Sequence, residues 1–411
     1  MKKSLSFLLI VPFTLFGENL TQLIELSKNN KMIDSSRINI ESTIDEYKSV
    51  QNAYMPEFKL GAYYQATNKE TSSYPDNKAV IQGSVDYTIY DGGKKYNTYD
   101  SYEATIDSQK NSLENQTNII ALQVTDYYYS YLSLEAQKEA KLKEIEQLEA
   151  QYKRLKRFLD AGTTTEDEVQ KIISRVESAN VDLHEIELNI QTILHNLEYV
   201  IGRSVTIQEG SEVKEYVSNE TKLRADLKSL ENQLKALMAT AKGKKSGYYP
   251  NLTFNDTYGR NNLNYKYGDT KAYADDYEQN IAKLTLSWKI FDFGATSKEY
   301  QAAYKKYLSL KSQYEYEKNK ANVDLKLAKK AYNIGKLKIK SAEAGLKAAN
   351  SAYDVIESKY QNGLVDNVAY LEALSEKYDA LSALKMAQYD LEIKKANIIY
   401  YSGEKIEEFV K

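Results

Sequence analysis

The sequence predicts a mainly α-helical fold with a small β part, built from long coiled-coil helices and four membrane-type strands in two internal repeats. Three observations carry that prediction. First, the glycines Gly93 and Gly294, Gly162 and Gly363, and Gly202 and Gly403 are each 201 residues apart, the mark of one structural unit written twice. Second, the chain of 411 residues holds only 4 prolines, which suits long helices because proline removes an intrahelical bond and clashes with the preceding turn. Third, the helical period gives way to strict alternation at the same place in both copies.

Composition sets the class. Lys and Arg number 55 against 58 Asp and Glu, so the basic excess of a nucleic-acid partner is absent. Tyrosine occurs 37 times, and its amphipathic ring prefers places where apolar surface meets water. There is no cysteine, which excludes disulfides, thiolate metal sites and lipid attachment to an N-terminal cysteine. Met1-Lys2-Lys3-Ser4, the apolar run Leu5 to Phe16 and the small Gly17 have the layout of a signal peptide over residues 1–17. Export is therefore expected. The run is too short to span a bilayer as a helix, which needs about 20 apolar residues.

The first repeat is read as 18–210. Spaced apolar residues predict a half-length helix over 20–52, ended by Pro56. Phe58, Leu60, Ala62 and Tyr64 then alternate with polar residues, and after a polar loop Ala79, Ile81, Gly83, Val85, Tyr87 and Ile89 do the same. These segments predict a β-hairpin over 57–90. From Gly93 to Asp160 the helical period runs unbroken for about 67 residues, roughly 100 Å. Ile145, Leu148, Tyr152, Leu155 and Leu159 step by three and four as a coiled-coil seam. A tip turn follows at 161–165. Thr165 and Glu168 have the spacing of a capping box for the return helix 166–201.

The second repeat, 211–411, follows the same plan: a half-length helix over 218–246, a hairpin over 251–291, a long helix over 294–361, a tip turn at 362–366 and a return helix over 367–401. Its last strand is the clearest, with Ala282, Leu284, Leu286, Trp288 and Ile290 on one face. Helix lengths suggest that the N-terminal half-length helix stacks end to end on the C-terminal one. Alternation alone fits both a half-buried sheet of a soluble sandwich and barrel strands. Strand length near ten, terminal aromatics, a polar opposite face and export favour the membrane. Four strands cannot close a barrel, because small closed barrels need about eight, so the chain must oligomerise if its strands enter a bilayer.

Several paired motifs resemble those of the TolC-type outer-membrane efflux proteins, in order and in both repeats. They are Tyr54-Met55-Pro56 with Tyr248-Tyr249-Pro250, Tyr90-Asp91-Gly92-Gly93 with Phe291-Asp292-Phe293-Gly294, Ala161-Gly162-Thr163 with Tyr360-Gln361-Asn362-Gly363, and Val200-Ile201-Gly202 with Tyr401-Ser402-Gly403. The resemblance covers essentially the whole mature chain. It implies a homotrimer in the outer membrane of a Gram-negative bacterium, with a 12-stranded β-barrel and an α-helical coiled-coil barrel extending into the periplasm. It also implies a passive exit duct of a tripartite efflux or type I secretion system, working with a periplasmic adaptor (membrane fusion) protein and an inner-membrane RND, ABC or MFS transporter. The alternative is a periplasmic coiled-coil structural or adaptor protein without a pore.

The resemblance also assigns candidate positions. Tyr360 stands where the family has a gating tyrosine, and Glu168, Ala369 and Glu372 stand at the acidic pore positions, with Asp366 nearby. Val365 replaces an arginine of the best-known member. Gly162, Thr163, Gly363 and Leu364 are the tip positions expected to meet the adaptor, while Trp288, Tyr87 and Phe291 are expected at the membrane interface beside lipid. Simpler readings stand beside these. Glu168 and Asp366 fit capping roles, and Tyr360 fits coiled-coil packing. His184 and His195 lie eleven residues apart on one helix, roughly 16 Å, so one chain cannot clamp a metal with both. No catalytic constellation and no cofactor motif is present in the sequence. An enzyme is not expected.

Overall fold

A computed structural model describes residues 17–71, 74–216, 222–265 and 276–411. The leader 1–16 and part of the loop before the second copy's first helix, 217–221, lie outside the described residues. The elements are α1 (Leu20–Ser27), α2 (Lys31–Ala53), β1 (Glu57–Ala66), β2 (Asn77–Tyr90), α3 (Lys94–Asp160), α4 (Glu166–Ile201), α5 (Ala225–Lys244), β3 (Asn251–Asn264), β4 (Asp276–Ser287), α6 (Ala295–Gln361) and α7 (Asn367–Tyr401). The long helices α3 and α6 are 67 residues each, and they begin and end 201 positions apart. The paired glycines share their backbone: φ is 82° at Gly93 and Gly294, 70° at Gly162 and Gly363, and 83° and 79° at Gly202 and Gly403. All lie in the left-handed region that favours glycine.

The chain forms two compact units that cut across the repeats. One comprises Met1–Ser35, Leu113–Ala225 and Asn319–Lys411, the other Ser36–Ser112 and Asp226–Lys318.

The first unit has a core at the inner ends of the half-length helices. Leu20, Leu23 and Ile24 of α1 pack there with Val124, Tyr128 and Tyr129 of α3, Leu197 of α4 and Ile399 of α7. This explains part of the Tyr127–Tyr131 run. Tyr128 and Tyr129 are fully buried, and their hydroxyls donate to the carbonyls of Gln208 (2.9 Å) and Ser211 (3.1 Å). The irregular segment 203–216 is thereby pinned across the helices. It is fixed further by the buried Lys395, whose Nζ donates to the Val213 carbonyl at 2.8 Å and pairs with Glu392 at 2.6 Å.

Two expectations change here. The N-terminal helix is broken between Ser27 and Lys31, because Asn30 spends its side chain on the break: Oδ1 accepts from Met32 N (2.8 Å) while Nδ2 donates to Val200 O (2.6 Å). That second bond also places the start of α2 at the C-terminal end of α4. The end of α7 instead receives the approach to α5, with Lys222 N donating to Ser402 O at 3.0 Å and Lys222 paired with Glu404 at 2.7 Å. The predicted stacking of the N-terminal half-helix on the C-terminal one is therefore exchanged between repeats.

In the second unit the strands make one antiparallel sheet in the order β1-β2-β3-β4. Both hairpins form, and β2 joins them by pairing with β3, for example Tyr87 opposite Phe254. β3 extends to Asn264 and β4 stops at Ser287. Trp288 and Ile290 thus lie beyond the strand on which alternation placed them. The register puts Phe58, Leu60, Ile81, Tyr258, Leu284 and Leu286 on one face. All are exposed, Leu60 by 85% and Leu286 by 65%. Among the described residues no second layer covers that face, which a soluble sandwich would require. The opposite face is polar: Asp86 bonds Lys59 at 3.1 Å and Asn255 at 2.7 Å.

The strand-to-helix corners are built alike. Asp91 accepts from Lys95 N at 2.7 Å to start α3, and Asp292 accepts from Thr296 N at 2.9 Å to start α6. Gly92 sits at φ 72°, and its counterpart Phe293 takes φ 53°, an uncommon conformation for a side-chain-bearing residue.

Candidate functional site at the helical tips

Each long helix ends in the same two bonds. Gly162 N donates to Leu159 O (2.9 Å) and Thr163 N to Phe158 O (2.8 Å), matched by Gly363 N to Tyr360 O (3.0 Å) and Leu364 N to Lys359 O (2.9 Å). This is the Schellman arrangement, in which a left-handed glycine lets the chain reverse while satisfying the last carbonyls. Nothing lies within 4 Å of where a Cβ would stand at either glycine, and Leu364 is 73% exposed.

The return helices start differently. Asp366 caps α7 by accepting from Ala369 N at 2.9 Å. Thr165 occupies the corresponding position of α4, but its side chain makes no capping bond, so the predicted capping box is not formed. Glu168 turns away to Lys171, with Oε1 accepting from Nζ at 2.8 Å, and leaves Oε2 buried without a hydrogen-bond partner.

Tyr360 is the centre of a polar and aromatic network joining the two hairpins. Its hydroxyl accepts from Gln151 Nε2, and the same amide donates to Asn367 Oδ1 at 3.0 Å. Its ring stacks on Tyr370 with centroids 4.8 Å apart and planes at 19°. The Arg154 guanidinium lies 5.3 Å from the ring centroid, within cation–π range. Tyr370 in turn stands 6.1 Å from Tyr353. Burial pushes the Tyr360 phenol above its ordinary range, with Gln151 and Arg154 pulling the other way. Burial also raises Tyr353. Both phenols thus remain neutral hydrogen-bonding groups at neutral pH.

Of the residues singled out from sequence, Tyr360 lies inside this network. Glu168 is close enough to add to the upward push on its phenol. Asp366 is engaged as a cap, and Glu372 is exposed on α7 outside the network. Gln151, Arg154, Asn367 and Tyr370 were missed. Gln151 is only 5% exposed, and a glutamine on the 3–4 stripe among Leu148 and Leu155 was the available signal. In the second unit Trp288 Nε1 donates to Tyr248 O at 3.1 Å, and Phe291 packs edge-on against Phe293 at 4.7 Å. Among the described residues no group of acidic or histidine side chains is arranged to hold a metal.

One unit presents a four-stranded sheet with a bare apolar face, and the other joins two long helical hairpins through a tyrosine network; each feature suits a membrane channel protein. The outer membrane efflux protein family profile matches residues 23–203 and 217–404, and the chain belongs to that family. Its place is therefore the outer membrane, and its class is a channel rather than an enzyme. The chain is 21% identical to the outer membrane protein TolC of Salmonella enteritidis, over 98% of this chain and 86% of that one. Its fold is similar to the Campylobacter jejuni CmeC outer membrane channel, with a TM-score of 0.81 and 18% identity over 94% of this chain and 86% of the other. It is likewise similar to the Vibrio cholerae outer membrane protein VceC, with a TM-score of 0.81 and 15% identity over 94% and 96%.

Proposed function

We propose that three copies of this chain form the passive exit duct of a tripartite efflux or type I secretion system. The observation that carries the reading is the four-stranded sheet whose apolar face, among the described residues, is covered by no second layer and whose outer edges on β1 and β4 pair with no further strand. Unpaired edges and uncovered apolar side chains are tolerated in a bilayer only when the sheet closes. Three copies supply twelve strands, comfortably above the closure limit of about eight.

In this reading the helices continue the duct into the periplasm. A periplasmic adaptor protein meets the tips at Gly162, Thr163, Gly363 and Leu364, and an inner-membrane RND, ABC or MFS transporter supplies the energy. Tyr360, clamped by Gln151, Tyr370 and Arg154, holds the tips closed. Glu168 and Glu372 give the constriction its preference for cations. Asp366 contributes by fixing the turn, and Val365 leaves the second tip without a basic latch. Trp288, Tyr87 and Phe291 sit at the lipid interface, where amphipathic rings prefer to lie.

The test is extraction followed by conductance. The protein is expected to require detergent, to run as a heat-labile trimer, and to give small currents in planar bilayers that rise when Tyr360 is replaced by alanine. A monomer released by osmotic shock would refute the duct and leave a periplasmic rod or adaptor.

A further inference from the structure

Within the first unit, contacts set the helices side by side in the order α4, α3, α7, α6. Lys141 of α3 pairs with Asp182 of α4 at 3.2 Å, Gln151 of α3 bonds Asn367 of α7, and Tyr332 of α6 clusters with Ile398 of α7. α4 and α6 are therefore the outer columns.

Each outer column has two seams. On α6 the inner stripe Ala321, Ala328, Tyr332, Ala349 and Tyr353 is buried. Shifted by two residues, about 200° around the helix, a second stripe runs along one face through Val323, Leu327, Ile334, Leu337 and Val355. These five are exposed, Leu327 by 64% and Leu337 by 67%. α4 repeats the pattern: beside its buried Val169, Ile172 and Ala179, the shifted stripe exposes Val181, Leu188 (67%) and Tyr199 (79%). A coiled-coil stripe with nothing packed on it is half of an interface.

Charge says which half fits which. α4 carries 8 acidic residues against 2 basic ones, and α6 from Asn319 to Gln361 carries 9 lysines against 4 acids. Glu177 and Glu198 flank the α4 stripe, and Lys326 and Lys347 flank that of α6. All four are exposed and, among the described residues, have no ion-pair partner within the chain. Two α4 stripes or two α6 stripes would repel. An α4 stripe against an α6 stripe attracts, and such a head-to-tail contact generates a ring.

We propose that a second copy of this chain covers the α6 stripe with its own α4, with the register set by Glu177–Lys347 and Glu198–Lys326 ion pairs. The spacing supports both pairs at once. The two helices run oppositely relative to their tips. Glu177 lies 15 residues beyond Gly162 and Lys347 lies 16 before Gly363, while Glu198 lies 36 beyond and Lys326 lies 37 before. With the tips level, Leu188 lands against Ile334 and Leu337, so the apolar and charged layers coincide. The assignment rests on the trimeric reading above and adds which surfaces meet and why they select each other.

Because the chain has no cysteine, disulfide mapping on the full-length protein tests this directly. Glu177→Cys with Lys347→Cys is expected to give dimers and trimers on non-reducing gels, whereas each single substitution leaves monomers. Replacing Glu177 and Glu198 by lysine is expected to weaken trimer association at low salt by about sixtyfold, taking a factor of about two for each of six pairs. Adding Lys326→Glu and Lys347→Glu to that variant restores it, and high salt narrows the difference. Absence of any trimer in native mass spectrometry would remove the duct reading itself. A trimer in which the double variant does not crosslink, crosslinks within one chain, or in which Glu177→Cys alone gives dimers would overturn the seam alone. Trapping of a different protein by the double variant would also overturn the seam.

Discussion

If Tyr360 holds the tips together, its removal should open the duct by an amount set by its contacts. The hydroxyl accepts one hydrogen bond from Gln151, worth about 1 kcal/mol net. The stack on Tyr370 at 4.8 Å contributes about 0.5–1.5 kcal/mol. The Arg154 guanidinium at 5.3 Å adds about 0.5–1 kcal/mol at this partly exposed site. Tyr360→Ala then loses about 2–3.5 kcal/mol per chain, which shifts the open-to-closed ratio of each tip by a factor of about 30 to about 400. Tyr360→Phe keeps both ring contacts and leaves Gln151 bonded to Asn367 at 3.0 Å, so its effect should be about 1 kcal/mol or less. Open probability in planar bilayers reads both. A double cycle with Gln151→Leu should give a coupling of about 0.5–1.5 kcal/mol. Equal open probabilities for the native protein and Tyr360→Ala would refute the clamp, and zero coupling to Gln151 would refute the hydroxyl's share in it.

Other outcomes follow from the same geometry. Burial holds the Tyr360 and Tyr353 phenols above their ordinary range. Above pH about 10 the unfolded chain would lose protons that the closed tip retains, so the stabilisation falls only as pH rises past that value. Open probability should be flat between pH 5 and 9 and climb beyond 10, and Tyr360→Phe with Tyr353→Phe should flatten the climb. On the sheet, Leu60→Lys or Leu284→Lys should cost about 2–4 kcal/mol near the bilayer midplane and deplete the protein from outer-membrane fractions, whereas Lys59→Gln on the polar face should not. At the corners, a Cβ on Gly92 would stand 2.6 Å from Ser246 O. Gly92→Ala should therefore lower the trimer's heat-dissociation temperature. Phe293→Gly should raise it by relieving about 1–2 kcal/mol of left-handed strain.

The repeat was legible because backbone turns of this kind admit few residues. Left-handed positions demand glycine, and six glycines at a fixed separation therefore marked both ends of four helices before any contact was known. The membrane sheet was legible for a related reason: period-two patterning survives in sequence whether or not anything covers the face. What stayed hidden depended on contacts between segments remote in the chain. Two half-length helices of 23 and 20 residues fit either return helix equally well by length. Only the Asn30–Val200 and Lys222–Ser402 bonds decide between them. Trp288 continued the alternation of β4 although the strand had already ended at Ser287, because alternation reports which way side chains would point and not whether a partner strand is present.

The tips show the same division more sharply. Their backbones are equivalent, with φ 70° at both glycines and the same two closing bonds, so the repeat alone predicts two equal ends. Leu159 and Tyr360 occupy equivalent positions, and both are partly buried against the same apolar cluster. Only the tyrosine carries a polar end into that cluster. A buried hydroxyl requires a partner, and the partner comes from the other repeat, as Gln151 on α3, with Asn367 sharing its amide. Duplication thus supplies two similar hairpins that differ at this position: Tyr360 of the second tip meets Gln151 and Arg154 of α3, whereas Leu159 of the first tip offers no polar group. If Tyr360 is the clamp proposed above, breaking its bond to Gln151 requires the α6–α7 hairpin to move relative to α3. The bonds that close each turn can stay intact while it moves.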